Sequence, residues 1–435
     1  MRCDRPAVAR RAGLTAICRS SWIRVGLVRR SVDEHLEAVL GRVRGLPAFD
    51  QPLMETLGLV LCEDIVSDVS LPGFDNSAMD GYAVQAADLA GASPDNPIAL
   101  PVVGEIAAGR SEPIVVTPGT CVSIMTGAPM PRGADSVVPV EWTDGGTANV
   151  RITQQPALGA SVRRAGEDVQ AGDQVLDHDT VLGPRQIAVL AAVGRARVKA
   201  RPRPRVVVVS TGAELREPGS RLAEGQIYDS NSYTLAAAAR EAGAVVYRVG
   251  IVDDDPKRIM DTLSDQLVRA DLVITTGGVS KGAYDVVKEE LSKLGTVDFP
   301  EVAMQPGKPQ GFGVLGEDEV PIFTLPGNPV SAYVSFEVFV RPALRKLMGQ
   351  MPYRRQPVQG VSLDGFKSPA GKRQFVRAAV TSSDDGWMAS TVGGHGSHLL
   401  GGLSRSNALI VVPEDVTAVR AGDQVELWLL DEETG

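Results

Sequence analysis

The sequence lacks several features that would place it in a common class of protein. Among 435 residues only four are cysteines, at Cys3, Cys18, Cys62 and Cys121, and no two of them form a C-x-x-C pair. A disulfide framework or a cysteine-based zinc site is therefore not expected, and this usage suits a reducing cytoplasm. No run of about 18 apolar residues occurs, so we also expect no membrane-spanning helix.

Two phosphate-binding signatures and a histidine-rich metal site are also missing. No G-x-x-x-x-G-K-[ST] motif occurs and no G-x-G-x-x-G motif opens a helix, which removes the main support for Walker-type phosphoryl transfer and for a Rossmann dinucleotide site. The histidines His395 and His398 stand close together in a glycine-rich stretch without further cysteine or histidine ligands. That setting favours a mobile or anion-binding loop over a metal site.

Charge is distributed unevenly along the chain. The formal net charge is −9, although residues 1–30 carry eight arginines and one aspartate. A body this acidic will not attract nucleic acid by general electrostatics, whereas a phosphate pocket can still be formed by backbone amides and a few local cations. We expect residues 1–30 to be a basic tail that is either disordered or upstream of the native start, because a capping box at Ser31–Glu34 opens the first amphipathic helix.

The length predicts about three domains, and the pattern of elements changes twice along the chain. Residues 31–200 consist of short β-type runs separated by glycine and proline, which predicts an elongated N-terminal region of two β-rich subdomains. Residues 201–350 alternate strands with helices, which predicts a parallel sheet covered by helices on both faces. Residues 351–435 return to short alternating runs, typical of a small β-barrel or sandwich.

Loops that follow the strands of residues 201–350 carry the candidate chemistry, because ligands of such sheets lie outside the carboxyl ends of the strands. Thr275–Ser280 follows a β-branched run, and its paired glycines leave amides able to converge on an anion. In Leu325–Ala332 we expect Asn328 to be a helix N-cap with Pro329 at the first helical position, which directs unpaired amides toward the same crevice. Lys308 brings a cation to this side of the sheet.

Carboxylates follow other strand ends of the same region, at Glu214, Asp229, Asp254 and Asp285. Each alone is more often a helix cap or a surface charge. Acids gathered around a phosphate site would repel the ligand unless a hard divalent cation bridges them. The set therefore predicts Mg²⁺.

Short motifs at nine places carry a family resemblance. They are Asn76–Gly81, Met125–Ala128, Gly166–Asp168, Ser210–Glu214, Gln226–Asp229, Gly277–Ser280, Pro306–Pro309, Pro326–Ser331 and Gly396–His398. In this order they resemble the MoeA family, the molybdopterin molybdenumtransferases that also form the E domain of gephyrin-like proteins. The resemblance covers nearly the whole chain from about Ser31 onward.

The resemblance implies a fold, a reaction and a set of site residues. The fold is a multidomain α/β one with a molybdopterin-binding, MogA-like central domain and a C-terminal β-barrel, in a homodimer whose β-rich arm faces the partner's α/β domain. The reaction joins molybdate to adenylylated molybdopterin with Mg²⁺ and releases AMP. The implied catalytic residues are Asp80, Thr126, Asp168, Glu214 and Asp229, and those implied to bind Mg²⁺ are Glu214, Asp229, Asp254 and Asp285. The residues implied to bind the pterin pyrophosphate are Gly277, Gly278, Ser280, Gly327, Asn328 and Ser331. The residues implied to bind molybdate are Lys308, Pro309, Arg377 and Ser397.

One position departs from the family pattern, and several alternatives stay open. Gln305 stands where many relatives have a second lysine, so the molybdate site carries less positive charge, and Arg373 is a candidate compensating cation. The sequence does not separate molybdate from tungstate or identify the attacking oxygen. A molybdopterin adenylyltransferase and a scaffold that binds a peptide of another protein are the competing functions. An adenylyltransferase and recipient molybdoenzymes are expected as partners, and nucleic acid and membrane are not.

Overall fold

The computed structural model describes residues 29–109, 114–277, 286–384, 386–394 and 396–431. Residues 1–28 of the predicted basic tail lie outside them. Across the described residues, none of the helices combines the length and the apolar character that crossing a membrane would require. Along the chain the fold comprises a first helix, a β-rich N-terminal arm, a central α/β domain and a C-terminal barrel.

The first helix belongs structurally to the central domain, although it precedes the arm. This helix, α1 (Val32–Arg42), begins with the predicted capping box, in which the Ser31 hydroxyl accepts from the Glu34 amide at 3.1 Å and the Glu34 carboxylate accepts from the Ser31 amide at 2.8 Å. Its apolar side packs into the core of the α/β domain together with residues of the central strands. The arm, residues 49–200, is therefore inserted between α1 and the central sheet.

The arm consists of short strands and one helix. They are β1 (Phe49–Pro52), β2 (Ile65–Val66), β3 (Asn76–Ser77), β4 (Gly81–Val84), β5 (Ile98–Ile106), β6 (Cys121–Ile124), β7 (Ser136–Pro139), β8 (Asn149–Ile152), β9 (Val162–Arg163), β10 (Gln174–Leu176), α2 (Pro184–Ala192) and β11 (Arg197–Ala200). Five of the described strands form a sheet in the order β7-β4-β6-β5-β8. The other strands pair two by two, and a separate apolar core surrounds Leu61, Leu182 and Leu190. Two β-rich units result.

The central domain alternates strands and helices, as the sequence predicts. Its elements are β12 (Arg205–Thr211), β13 (Leu215–Arg216), β14 (Ile227–Tyr228), α3 (Asn231–Glu241), β15 (Val245–Val252), α4 (Pro256–Leu267), β16 (Leu272–Thr276), α5 (Val286–Lys293), β17 (Val297–Asp298), β18 (Met304–Gln305), β19 (Gly311–Leu315), β20 (Val320–Leu325), α6 (Pro329–Ser335) and α7 (Arg341–Met348). A π-helical segment at Phe336–Val340 joins the last two helices without a break.

Six of the described strands form the central sheet, in the order β15-β12-β16-β20-β19-β17. The first four run parallel, which confirms the predicted parallel sheet, whereas β19 pairs antiparallel with β20, and β17 pairs antiparallel with β19. The sequence pattern did not predict this edge, because a hairpin turn at residues 316–319 returns the chain beside β20 where a crossover helix was not required. Separate apolar cores cover the two faces, one including α1, α3, α6 and α7 and the other α4 and α5.

The C-terminal region is a closed barrel, which confirms the predicted small β-barrel. Its elements are β21 (Val358–Ser362), β22 (Phe366–Lys367), β23 (Arg373–Ser383), β24 (Gly386–Thr391), α8 (Leu400–Leu403), β25 (Ala408–Val412), β26 (Ala418–Val419) and β27 (Gln424–Leu429). The strands follow the order β23-β24-β21-β27-β25, and β25 pairs with β23 to close the ring. Strand β18 of the central domain adds to β23 in parallel, so a continuous backbone ladder connects the two domains.

A buried carboxylate also connects the central domain to the barrel. Glu337, on the π-helical segment, is 4% exposed and accepts from Arg355 Nε at 2.6 Å. The same arginine donates through Nη1 to the carbonyl of Leu429 on β27 at 2.6 Å. Burial, together with the neighbouring Glu337 charge, raises the pKa of the Tyr333 hydroxyl. The ion pair therefore fixes the helical segment against the last strand of the barrel.

We predict that Arg355→Met destabilises the protein by about 3 kcal/mol, because it leaves the Glu337 carboxylate buried without its closest partner. The matched control is Arg354→Met, whose side chain is 44% exposed and pairs with the half-exposed Asp33 at 2.9 Å. Such an exposed pair contributes about 0–1 kcal/mol. Urea denaturation followed by circular dichroism measures both values, and equal losses in the two variants would contradict this assignment.

Candidate functional site

A pocket of about 370 Å³ opens at the carboxyl ends of the parallel strands β12, β16 and β20. This is the edge of the sheet where the sequence places the candidate loops. The described residues that line it come from the α/β domain and the barrel, and none comes from the arm. They are Thr211, Glu214, Leu215, Ile227, Tyr228, Asp229, Ser230, Asn231, Thr276, Gly277, Gly327, Asn328, Pro329, His398 and Leu400.

Glycine is required where two strand exits meet at this pocket. Gly277 has a φ of 96°, and a Cβ at this position would lie 2.5 Å from the carbonyl oxygen of Thr211. A Cβ on Gly327 would lie 3.8 Å from the Cα of Gly277, so the loops after β16 and β20 approach each other closely. Backbone, not side chains, therefore forms this part of the pocket. Gly278, Ser280 and Asp285 lie outside the described residues.

Asn231, the first residue of α3, joins these two loops, and sequence reasoning missed it. Its side-chain nitrogen donates to the Thr276 hydroxyl at 2.9 Å and to the Gly327 carbonyl at 2.7 Å. The available signal was an asparagine at the start of a helix directly after the Gln226–Asp229 motif. An asparagine there is more often a simple cap, and only the fold brings it beside two distant strand exits.

The helical run that begins at Pro329 presents its amino end to the pocket. Asn328 is the N-cap with Pro329 at the first position, as predicted, although the Asn328 side chain makes no capping bond to the described residues. The Val330 amide donates to the Ser397 carbonyl at 3.1 Å. Ser331 is buried in the first turn, with 5% exposure. The loop that carries Ser397 is thus held directly against the helix end that lines the pocket.

Two of the candidate metal-binding acids lie at one turn of the pocket rim. Glu214 is exposed with its carboxylate against Gly212, and Asp254 accepts from the Ala213 amide at 3.2 Å. Their oxygens therefore flank the turn at residues 212–214. In the described ranges, no group of three or more His, Cys, Asp or Glu side chains is gathered as a metal site.

Asp229, the third candidate acid, is engaged in supporting α3. It is 1% exposed, and its carboxylate accepts from the Ser232 amide at 3.0 Å and from the Ser232 hydroxyl at 2.5 Å. Arg248 Nη1 lies 4.0 Å from the same carboxylate. The structure therefore gives Asp229 a helix-capping role, which its position before a helix also permitted.

Arg377 lies beneath the loop at residues 393–399 as a buried cation. Its guanidinium donates to the carbonyls of Gly394, Gly396 and Leu399, and the residue is 4% exposed. Burial lowers the pKa of the guanidinium. No carboxylate among the described residues lies within ion-pair distance of it. A buried charge of this kind favours an anion nearby, and Ser397 stands on the loop that this arginine holds.

The other predicted cations, Lys308 and Arg373, are already paired with acids. Lys308 Nζ lies 2.8 Å from a carboxylate oxygen of Glu301, and the Pro309 backbone pairs with that of Glu301. Arg373, the candidate compensating cation, lies 2.8 Å from Asp33 and 3.1 Å from Glu414. Arg373 is therefore not an uncompensated charge available to an oxyanion.

The arm motifs come together at a place of their own. Asp80 accepts from the Thr126 amide at 2.6 Å and from its hydroxyl at 2.9 Å, and these bonds lower the pKa of the Asp80 carboxyl. The exposed Asp168 is connected to the same loop region because its amide donates to Leu71 O at 3.1 Å. Gly81 is required here, since a Cβ would lie 1.9 Å from the Val138 carbonyl oxygen.

Comparisons with known proteins cover nearly all of the chain. Family models match residues 30–194 as the MoeA N-terminal region (domain I and II), residues 207–346 as a probable molybdopterin binding domain, and residues 359–430 as the MoeA C-terminal region (domain IV). Molybdopterin molybdenumtransferase 2 of Mycobacterium tuberculosis is 49% identical over 408 residues, which cover 92% of this chain and 99% of the relative. Molybdopterin molybdenumtransferase of Haemophilus influenzae is 37% identical over 380 residues, covering 86% and 92%.

Solved structures agree with this assignment. Two crystal structures of a molybdopterin biosynthesis MoeA protein from Pyrococcus horikoshii match with TM-scores of 0.78 and 0.73, at 29% and 31% identity. The matches cover 93% and 92% of this chain and 100% of each solved chain. With three family models in order and relatives that extend along the whole described fold, this chain belongs to the MoeA family.

Proposed function

We propose that this chain is a molybdopterin molybdenumtransferase, which joins molybdate to adenylylated molybdopterin and releases AMP. The observation that carries the proposal is the hydrogen bond from the Val330 amide to the Ser397 carbonyl. It places the loop above the buried Arg377 beside the helix end that lines the strand-exit pocket. In this proposal the site for the phosphate-bearing ligand therefore adjoins the site for the oxyanion, as this reaction requires.

The pocket suits the pyrophosphate and a ring of the pterin substrate. Gly277 and Gly327 allow the backbone to approach phosphate oxygens closely, and the amino end at Asn328 directs helix amides toward them. Ile227 and Tyr228 add apolar and aromatic surface to the wall, at 55% and 43% exposure. Apolar walls with a few placed polar groups are typical of small-molecule sites.

The adjoining loop suits molybdate, a tetrahedral dianion. Arg377 supplies a buried positive charge, the Ser397 hydroxyl is a potential donor, and Lys308 with Pro309 stands on the loop that follows β18. Cation and hydroxyl donors are the groups that an oxyanion requires. In this proposal Arg377 acts chiefly by fixing the loop and by its charge, because its donors already engage loop carbonyls.

Magnesium fits the pocket rim only in part. Glu214 and Asp254 are hard oxygen donors at one turn, and they are the described residues that we propose to hold Mg²⁺. When bound, the ion would neutralise charge on phosphate oxygens. Without the ion, the acids of the rim repel the phosphate-bearing ligand. Asp229 has a different role in this proposal, because its bonds to Ser232 keep α3, and therefore Asn231, in place.

We further propose a homodimer in which the arm of one subunit completes the pocket of the other. Asp80 and Thr126 meet on the arm, where Asp168 is hydrogen-bonded to Leu71, and none of the three lines the pocket of its own chain within the described residues. Exposed apolar side chains surround them, with Phe74 at 52%, Met125 at 47% and Met79 at 39%. A partner surface would bury this patch.

A location in the cytoplasm is a further part of the proposal. Cys62 and Cys121 are both free thiols, which suits a reducing compartment. A docking adenylyltransferase and recipient molybdoenzymes stay predictions from the family.

A turnover assay tests the function directly. Purified protein, adenylylated molybdopterin and Mg²⁺ are incubated with and without molybdate, and AMP is quantified. We expect release of AMP that depends on molybdate. Consumption of ATP on molybdopterin that is not adenylylated would instead identify an adenylyltransferase, and the absence of both reactions would favour a scaffold role.

Replacement of Asp80 should slow turnover without loss of fold. We predict that Asp80→Ala lowers kcat by at least about 100-fold if the carboxylate acts in the transition state, because it is then an interaction made only there. The matched control is Asp144→Ala, another arm aspartate whose carboxylate accepts from the amides of Gly146 and Arg151. An equal effect of the two variants on kcat would indicate a structural role for Asp80.

Replacement of Glu214 and replacement of Asp229 should have different effects on the Mg²⁺ requirement of the enzyme. We predict that Glu214→Gln raises the Mg²⁺ concentration needed for half-maximal turnover, because it removes one hard anionic donor. Asp229→Ala should instead lower stability by about 1 kcal/mol through loss of the bonds to Ser232, as measured by thermal unfolding. An unchanged Mg²⁺ requirement in Glu214→Gln would remove that residue from the proposed metal site.

A further inference from the structure

Lys308, the lysine that we assign to the molybdate site, is already paired with a carboxylate. Lys308 Nζ lies 2.8 Å from Glu301 Oε2, and the two side chains are only 31% and 17% exposed. Arg29 approaches the same carboxylate oxygen at 3.7 Å. Partly withdrawn from water, this ion pair is less screened than a surface pair, and the negative charge on Glu301 strongly offsets the charge that an incoming dianion would meet.

The backbone enforces this pairing, so it is not a chance contact of two long side chains. Glu301 forms an antiparallel bridge with Pro309, and the Val302 amide donates to the Lys308 carbonyl at 2.8 Å. On its other side the Glu301 carbonyl accepts from the Arg30 amide at 3.0 Å. Glu301 and Lys308 are consequently held opposite each other across the loop that connects β17 to β19.

The neighbouring residues do not restore the positive charge of Lys308 that Glu301 offsets. Gln305 is neutral, Arg373 is paired with Asp33 and Glu414, and the half-exposed Arg29 lies 3.7 Å from the Glu301 carboxylate itself. Arg377 remains the buried cation without a carboxylate partner among the described side chains. The positive potential of the oxyanion site therefore depends on how far Lys308 is withdrawn from Glu301.

We propose that Glu301 is an affinity-determining residue of the oxyanion site, which competes with molybdate for Lys308 and so weakens molybdate binding. The inference rests on the proposed function in placing molybdate at Lys308. Binding of the dianion requires the ammonium to leave Glu301 or to share its donors with it. A carboxylate that merely orients Lys308 would have the opposite effect, since its removal would then weaken binding.

The test uses the full chain and sodium molybdate, with bound molybdenum measured by equilibrium dialysis. We expect Glu301→Gln, which keeps the shape of the side chain, to bind molybdate about fivefold more tightly than the unaltered protein, as the loss of one nearby negative charge predicts. The matched control is Glu317→Gln, an identical change in charge at an exposed turn of the β19–β20 hairpin, which should leave the affinity unchanged. In a Lys308→Met background, Glu301→Gln should have a much smaller effect.

Equal or weaker binding of molybdate by Glu301→Gln would overturn the inference, as would the same gain in Glu317→Gln or the absence of binding by every variant. The AMP assay keeps this result separate from the proposed function. If the affinities follow the expected order and no AMP is released, the reaction is wrong while the role of Glu301 stands. If AMP is released and the KM for molybdate is unchanged or higher in Glu301→Gln, the reaction stands and the role of Glu301 is wrong.

Discussion

Three parallel strands that end at one edge of the central sheet determine where every other part of the site lies. Because β12, β16 and β20 are neighbours, their exits bring Thr211, Gly277 and Gly327 within a few ångströms of one another. That closeness excludes a side chain at Gly277 and leaves backbone amides as the pocket surface. The helical run from Pro329 then begins at the same edge, and the barrel loop with Ser397 is anchored to its first turn.

Charge balance is the second theme of this site. The pocket rim has acids, the adjoining loop rests on a buried guanidinium, and Lys308 is paired with Glu301. In the proposed site a dianion is therefore attracted by the charge of Arg377, by donors that are held in place before it arrives, and by Lys308 to the extent that this lysine leaves Glu301. Preorganised donors lose little free energy on binding, which is how a site with modest net positive charge can still bind an oxyanion.

Local patterns predicted much of this fold, and long-range proximity accounts for what they missed. Ser31 and Glu34 predicted the start of α1, and Asn328 with Pro329 predicted the start of α6, because helix capping involves residues only a few positions apart. Sequence patterns missed the contacts of Asn231 with Thr276 and Gly327, because these residues are far apart along the chain. They also missed the antiparallel edge and the pairing of Glu301 with Lys308, because both depend on the path that the chain takes through a turn. The sequence left a capping role for Asp229 open, and its burial and its bonds to Ser232 show that it makes these capping contacts.

The arm carries the residues that we propose to complete the partner's pocket. Among the described residues, Asp80 and Thr126 lie on this inserted arm and do not line the pocket of their own chain, which is why we propose that the site is shared between two subunits. Mixing two variants, each first shown to have little activity alone, tests this most directly: Asp80→Ala and Lys308→Met are unfolded together, refolded as mixed dimers, and assayed for molybdate-dependent AMP release. A shared site predicts recovery of about one quarter of wild-type turnover, because half of the dimers are mixed and each has one intact site. No recovery from well-folded mixed dimers would contradict the claim and place all essential groups within a single chain.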